Sequence, residues 1–169
     1  PLYRADSIRE HYNALTLRMK GDWDLEFRAY DDGIAYRFVS RAKKPFAIVN
    51  EQVEFRFPED YQTTLPYVRS GKDGDWNSQY FNSFENIYTV APLSQLNTAR
   101  LAFLPLVVDA GEGVKICLTE SDLQAYPGLF LRNTDGGTAL TGQFAPCPVE
   151  TRPGGYNGIQ HIVRERAPY

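Results

Sequence analysis

Apolar residues recur at every second position along much of this chain, and nowhere do they keep a three- to four-residue spacing for three turns. That pattern constrains the fold more than any other feature, because side chains alternate between two faces only in extended backbone. Leu15, Leu17 and Met19 alternate with Thr16 and Arg18, and "WDLEFRAY" sets Trp23, Leu25 and Phe27 against Asp24, Glu26 and Arg28. "YDDG" follows, where the ease of Asp32-Gly33 with positive φ suits a tight hairpin turn. The chain returns as "IAYRFVS", with Ile34, Tyr36 and Phe38 expected on an inward face. Val53, Phe55 and Phe57 repeat the alternation until Pro58 ends it.

Positions 58–86 are rich in Asp, Gly, Ser, Asn and Tyr with little periodicity, and read mostly as a long surface excursion. Further strands are expected near positions 87–89, 99–108, 114–120, 129–131 and 140–144. Thr119 and Ser121 are each followed three residues later by Asp122 or Gln124, a pattern able to cap one helical turn across "SDLQAY" before Pro127-Gly128 stops it. The last 24 residues, "PCPVETRPGGYNGIQHIVRERAPY", read as a loop and then extended chain without a closing element, so the protein is expected to continue. Many short alternating strands joined by turn residues predict an all-β sandwich or barrel.

A length of 169 residues suits one domain, residues 1–169, with a real core. A composition 43% apolar and 14% aromatic, with a net charge of -3, is that of a soluble globular protein. No apolar run approaches the roughly 20 residues that cross a bilayer, and no signal peptide is recognisable at the start. Neither a membrane nor nucleic acid is an expected partner, since Lys and Arg do not cluster and "RAKK" at 41–44 reads as a solvated loop. Cys117 and Cys147 are too few for a disulfide framework or a zinc site. They can pair in an oxidising compartment, but Cys117 falls in a strand pattern, where a buried free thiol is the commoner outcome.

"DGDWN" at 73–77 begins like a calcium loop but fails at its sixth and twelfth positions, Ser78 and Phe84, and reads as a polar turn. His11 and His161 are far apart, and no serine or cysteine sits in a nucleophile elbow, so a hydrolytic triad is set aside. Trp76, Tyr80 and Tyr61 are the candidates for stacking on sugars, although aromatic rings also fill β cores. Glu120 stands where the series Val114, Ile116, Leu118 calls for one more apolar residue. It either caps the following turn or projects from the strand end toward a metal or a partner surface. Calcium takes 6 to 8 oxygens at typical sites, so other ligands must then come from elsewhere.

Four stretches, "REHYNALTL" (9–17), "LEFRAYDDGIAYRF" (25–38), "TESDLQAYPGLFL" (119–131) and "RERAPY" (164–169), together resemble the N-terminal domain of glycoside hydrolase family 97. That is the α-glucosidase and α-galactosidase family best known from gut Bacteroides. The resemblance implies a β-super-sandwich of the galactose-mutarotase type, packed against a separate catalytic (β/α)8 barrel of the same polypeptide that follows this chain. It implies an exo-acting, calcium-dependent glycosidase working on α-linked oligosaccharides, with Glu120 as a ligand of a calcium ion shared with the barrel. Ser121 and Asp122 stand where small apolar residues are common in the family. The acid and base lie on the barrel, so no catalytic residue is expected here and the chain alone should be inactive. The resemblance also implies a periplasmic setting and a chain that begins partway into the domain, with an unpaired sheet edge if upstream strands are absent. The rival readings are a free-standing carbohydrate-binding module using Trp76, Tyr80 and Tyr61, and a structural sandwich without a ligand.

Overall fold

A computed structural model describes residues 7, 9–124, 126–155 and 158–163. The chain divides into two compact units, the first ending at Phe46 and the second beginning at Ala47. Strands dominate both, with antiparallel pairing throughout and only single turns of helix, which is the all-β sandwich class expected from the alternation. Among the described residues no helix is long and apolar enough to cross a membrane.

The first unit is a three-stranded meander, β1 (Asn13–Arg18), β2 (Trp23–Ala29) and β3 (Ile34–Ser40), in that spatial order. Register places Leu17, Leu25 and Phe38 in one row and Leu15, Phe27 and Tyr36 in the next, so the alternating apolar residues share a face. On the other face Glu26 and Arg37 lie opposite one another and form an ion pair at 2.8 Å. The β2–β3 loop closes with the Tyr30 N–H donating to the Gly33 carbonyl at 2.8 Å, and neither Asp32 nor Gly33 takes positive φ. The tight turn over Tyr30 to Gly33 therefore forms between the paired Ala29 and Ile34, but without the left-handed backbone expected at Asp32-Gly33. Ile34, Tyr36 and Phe38 are not inward: they are 76%, 47% and 47% exposed. Alternation sorts residues onto faces, but it does not say whether a second layer covers the face.

The second unit holds a four-stranded sheet, β6-β5-β7-β8, a three-stranded sheet, β4-β10-β9, and a hairpin, β11-β12. In chain order these are β4 (Glu54–Arg56), β5 (Gln62–Pro66), β6 (Tyr88–Pro92), β7 (Leu106–Gly111), β8 (Val114–Leu118), β9 (Leu129–Arg132), β10 (Ala139–Phe144), β11 (Pro148–Pro153) and β12 (Ile159–Val163). Leu65, Leu93, Leu106, Val108, Leu131 and Leu140 are buried together as the main core. Ala102 joins the two larger sheets, exchanging backbone hydrogen bonds with Leu131 of β9 at 2.8 and 2.9 Å while also bridging Tyr67 beyond β5.

Several expectations are corrected here. Positions 58–86 are only in part the expected surface excursion: most of 69–86 is exposed, but β5 lies inside its sheet with Thr63 and Leu65 fully buried. The polar residues after it are ordered by Gln79, which is wholly buried. Its amide donates to the carbonyls of Lys72 and Ala99 at 2.8 and 2.9 Å and accepts the Leu101 N–H at 2.8 Å. Gly71 passes so close to this turn that a Cβ there would lie 2.5 Å from the Ser78 carbonyl oxygen. Among the described residues the α-helical turn, α1 (Trp76–Gln79), falls here, capped by Asp75, and not across "SDLQAY". There Asp122 takes φ of 56°, which breaks a right-handed turn, and Ala125 lies outside the described residues.

The strand expected at 99–108 starts only at Leu106, since Pro105 has no N–H to give to a ladder. The closing stretch, read as a loop and then extended chain, forms the β11–β12 hairpin, and "RERAPY" lies outside the described residues. Cys117 and Cys147 are both free, and Cys117 is exposed, not buried. It sits on β8, which among the described residues pairs only with β7 and whose residues Val114 to Cys117 are all exposed.

Candidate functional site

Two open clefts in the second unit share a wall. The first, about 930 Å³, passes Glu51, Asp75, Trp76 and Gln143. The second, about 1050 Å³, is lined by Phe84, Phe103 and Phe130 together with Glu120 and His161. Asn77, Tyr80, Tyr126 and Pro127 border both.

Glu120 enters the second cleft because β8 ends at Leu118 and the chain leaves the sheet in irregular backbone. The residue caps no turn. Its Oε1 instead accepts the N–H of Leu129, the first residue of β9, at 2.8 Å, closing the loop between the two strands. Burial pushes the Glu120 carboxyl above its ordinary value, the Leu129 N–H opposes the rise, and the nearby charge of Glu51 adds to it. Glu51 accepts a 2.8 Å hydrogen bond from the Tyr126 hydroxyl. Among the described residues no basic side chain pairs with Glu51 or Glu120.

Two partly buried carboxylates with no basic partner among the described residues are donors of the kind a hard cation takes. They do not complete such a site. No group of three His, Cys, Asp or Glu gathers among the described residues, so these side chains build no complete cation site by themselves. Asp73 and Asp75 of "DGDWN" serve the local fold, Asp73 by pairing with Arg100 and Asp75 by accepting the Ser78 N–H at 3.3 Å.

The three aromatic candidates separate. Trp76 is half-buried against the cluster of Val68, Leu101, Phe103 and Phe130, and the Arg132 guanidinium lies over its ring at 4.6 Å. Tyr80 packs edge-on to Phe130 at 5.5 Å, and burial raises its phenol above the ordinary value while a hydrogen bond with Gln143 works against the rise. Tyr61 packs on the other core cluster, edge-on to Phe57 at 6.4 Å, and borders neither cleft. Glu51 and Tyr126 carry no motif of their own. The 75 positions between them hide their contact from any local pattern.

The profile of the glycosyl-hydrolase 97 N-terminal family matches residues 1–157. Over all 169 residues the chain is 59% identical to a retaining alpha-galactosidase of Bacteroides thetaiotaomicron. The alignment takes in 100% of this chain and 26% of that protein, so the chain spans about a quarter of its relative's length. With β-sheets throughout and a family match over most of its length, this chain belongs to the N-terminal domain family of glycoside hydrolase family 97.

Proposed function

We propose that this chain is the accessory domain of a calcium-dependent, exo-acting α-glycosidase, and that it supplies Glu120 as one ligand of a calcium ion completed by a catalytic barrel of the same polypeptide. The observation that carries the reading is the state of Glu120: half-buried in an apolar cleft, one oxygen held by Leu129, and no basic side chain among the described residues to balance it. The 59% identity to a retaining alpha-galactosidase supports α-galactosides as the substrate class and retention as the stereochemical course.

Glycoside hydrolysis requires two carboxyl groups flanking the bond. The reading assigns both to the barrel. What this chain does is hold Glu120 at the mouth of a cleft that the barrel covers, with Trp76 and Tyr80 on the neighbouring wall for an α-linked oligosaccharide. When bound at such a site, calcium would supply Lewis-acid polarisation of a substrate oxygen or the orientation of a water, with Glu120 as one of the residues holding it. The family setting supports a periplasmic location, which fractionation of the producing cell tests.

The experiment is hydrolysis of p-nitrophenyl α-galactoside and p-nitrophenyl α-glucoside by the full-length protein, with calcium and with EGTA, beside the same assay on this chain alone. The expected result is calcium-dependent turnover by the full-length protein and none by the chain. Turnover by the chain alone contradicts the accessory role.

A further inference from the structure

The loop that carries Glu120 is fastened at a second point. The Tyr126 hydroxyl donates to Glu51 Oε2 at 2.8 Å, and the Tyr126 ring stands edge-on to Phe144 of β10 at 5.9 Å. Glu51 is anchored by its neighbour two positions on: the Val53 carbonyl accepts the Gly142 N–H of β10 at 2.8 Å, and the Val53 side chain is buried. Both ends of the Tyr126–Glu51 bond are therefore referred to β10. Among its described residues the segment between Glu120 and Leu129 has no ladder of its own.

We propose that Tyr126 and Glu51 are a positioning pair for the Glu120 carboxylate, fixing the loop that presents it and adding the Glu51 charge to the same cation site. The inference rests on the calcium reading above. Leu129 holds Oε1, so the path of the 120–129 loop decides where Oε2 points, and Tyr126 is the residue of that loop whose side chain reaches back to the sheet beside β4. Partners of this kind, one step behind a ligand, set its orientation and charge, and losing one typically weakens metal affinity 10- to 100-fold. Glu51 and Glu120 line two clefts that share Tyr126 and Pro127, and the Glu51 charge acts on the Glu120 carboxyl in the sense of repulsion, which a divalent cation near both would relieve.

The test is calorimetric titration of calcium chloride into EGTA-stripped full-length protein. Tyr126→Phe keeps the ring and removes the bond, and is expected to bind calcium about 10-fold more weakly. The melting temperature of the calcium-free variant should stay near that of the parent. Glu51→Ala should weaken binding as well, and the double variant should be no weaker than Glu51→Ala beyond about twofold, since the two act through one bond. A merely structural role predicts the opposite pattern, a lowered calcium-free melting temperature with unchanged affinity, and that result overturns the inference. Fully additive losses overturn it too. Where Tyr126→Phe does not fold, Glu51→Gln, which keeps an acceptor for the hydroxyl, reads the charge alone: weakened binding supports the pair and unchanged binding overturns it. Glu120→Gln separates the two claims. If it binds calcium as the parent does, the calcium reading fails and this inference with it; if it does not while Tyr126→Phe does, only the positioning role fails.

Discussion

At the scale of single residues, buried polar groups settle what composition leaves open. Gln79 is the clearest case: three hydrogen bonds from one amide organise the turn that carries Trp76 and Tyr80. Gln79→Leu strands the Leu101 N–H and two carbonyls, and at about 1 kcal/mol or more for each unsatisfied group should cost roughly 3 kcal/mol, read by urea denaturation of the chain. Asp60 makes a second prediction. It accepts the Ser94 hydroxyl at 2.6 Å and the Ser94 N–H at 2.8 Å, and these bonds, the hydroxyl first, hold its carboxyl below the ordinary aspartate value. A lowered folded value means that its contribution to stability is complete above about pH 4 and is lost as pH falls through the lowered value. Asp60→Asn should therefore lose less stability on acidification than the parent, checked by denaturation at successive pH values. Neither residue is legible from local sequence, because each finds its partners 7 to 34 positions away.

At the scale of elements, alternation located most strands and missed β5, which is paired on both sides. β5, "QTTLP", carries two threonines and a proline and shows no clear period, because a strand flanked by β6 and β7 takes its stability from its neighbours. Leu65→Ala, in the main core, should cost about 3 kcal/mol, whereas Val114→Ala on exposed β8 should change stability by less than about 0.5 kcal/mol. Equal losses would contradict the placement of β5. The reverse error appears in the first unit. There Ile34, Tyr36 and Phe38 keep perfect alternation and yet lie exposed, since a period reports which side chains share a face and not what lies above it. Glu120 was legible as a break in the β8 series; the Leu129 contact that aims it was not, because it depends on how the 120–129 loop folds back.

At the scale of the whole polypeptide, the chain spans 26% of the length of its alpha-galactosidase relative and gathers no three metal-ligating side chains among its described residues. A carboxylate kept half-buried without a basic partner is costly in isolation. A cation brought by a neighbouring domain would relieve that cost, and this links the placement of Glu120 to the division of labour proposed for the enzyme. The decisive observation is the calcium dissociation constant of the EGTA-stripped full-length protein, compared between the parent and Glu120→Gln by titration calorimetry. The account predicts that the substitution weakens calcium binding by at least 10-fold, a loss of about 1.4 kcal/mol or more. Equal affinity in the two proteins would contradict it.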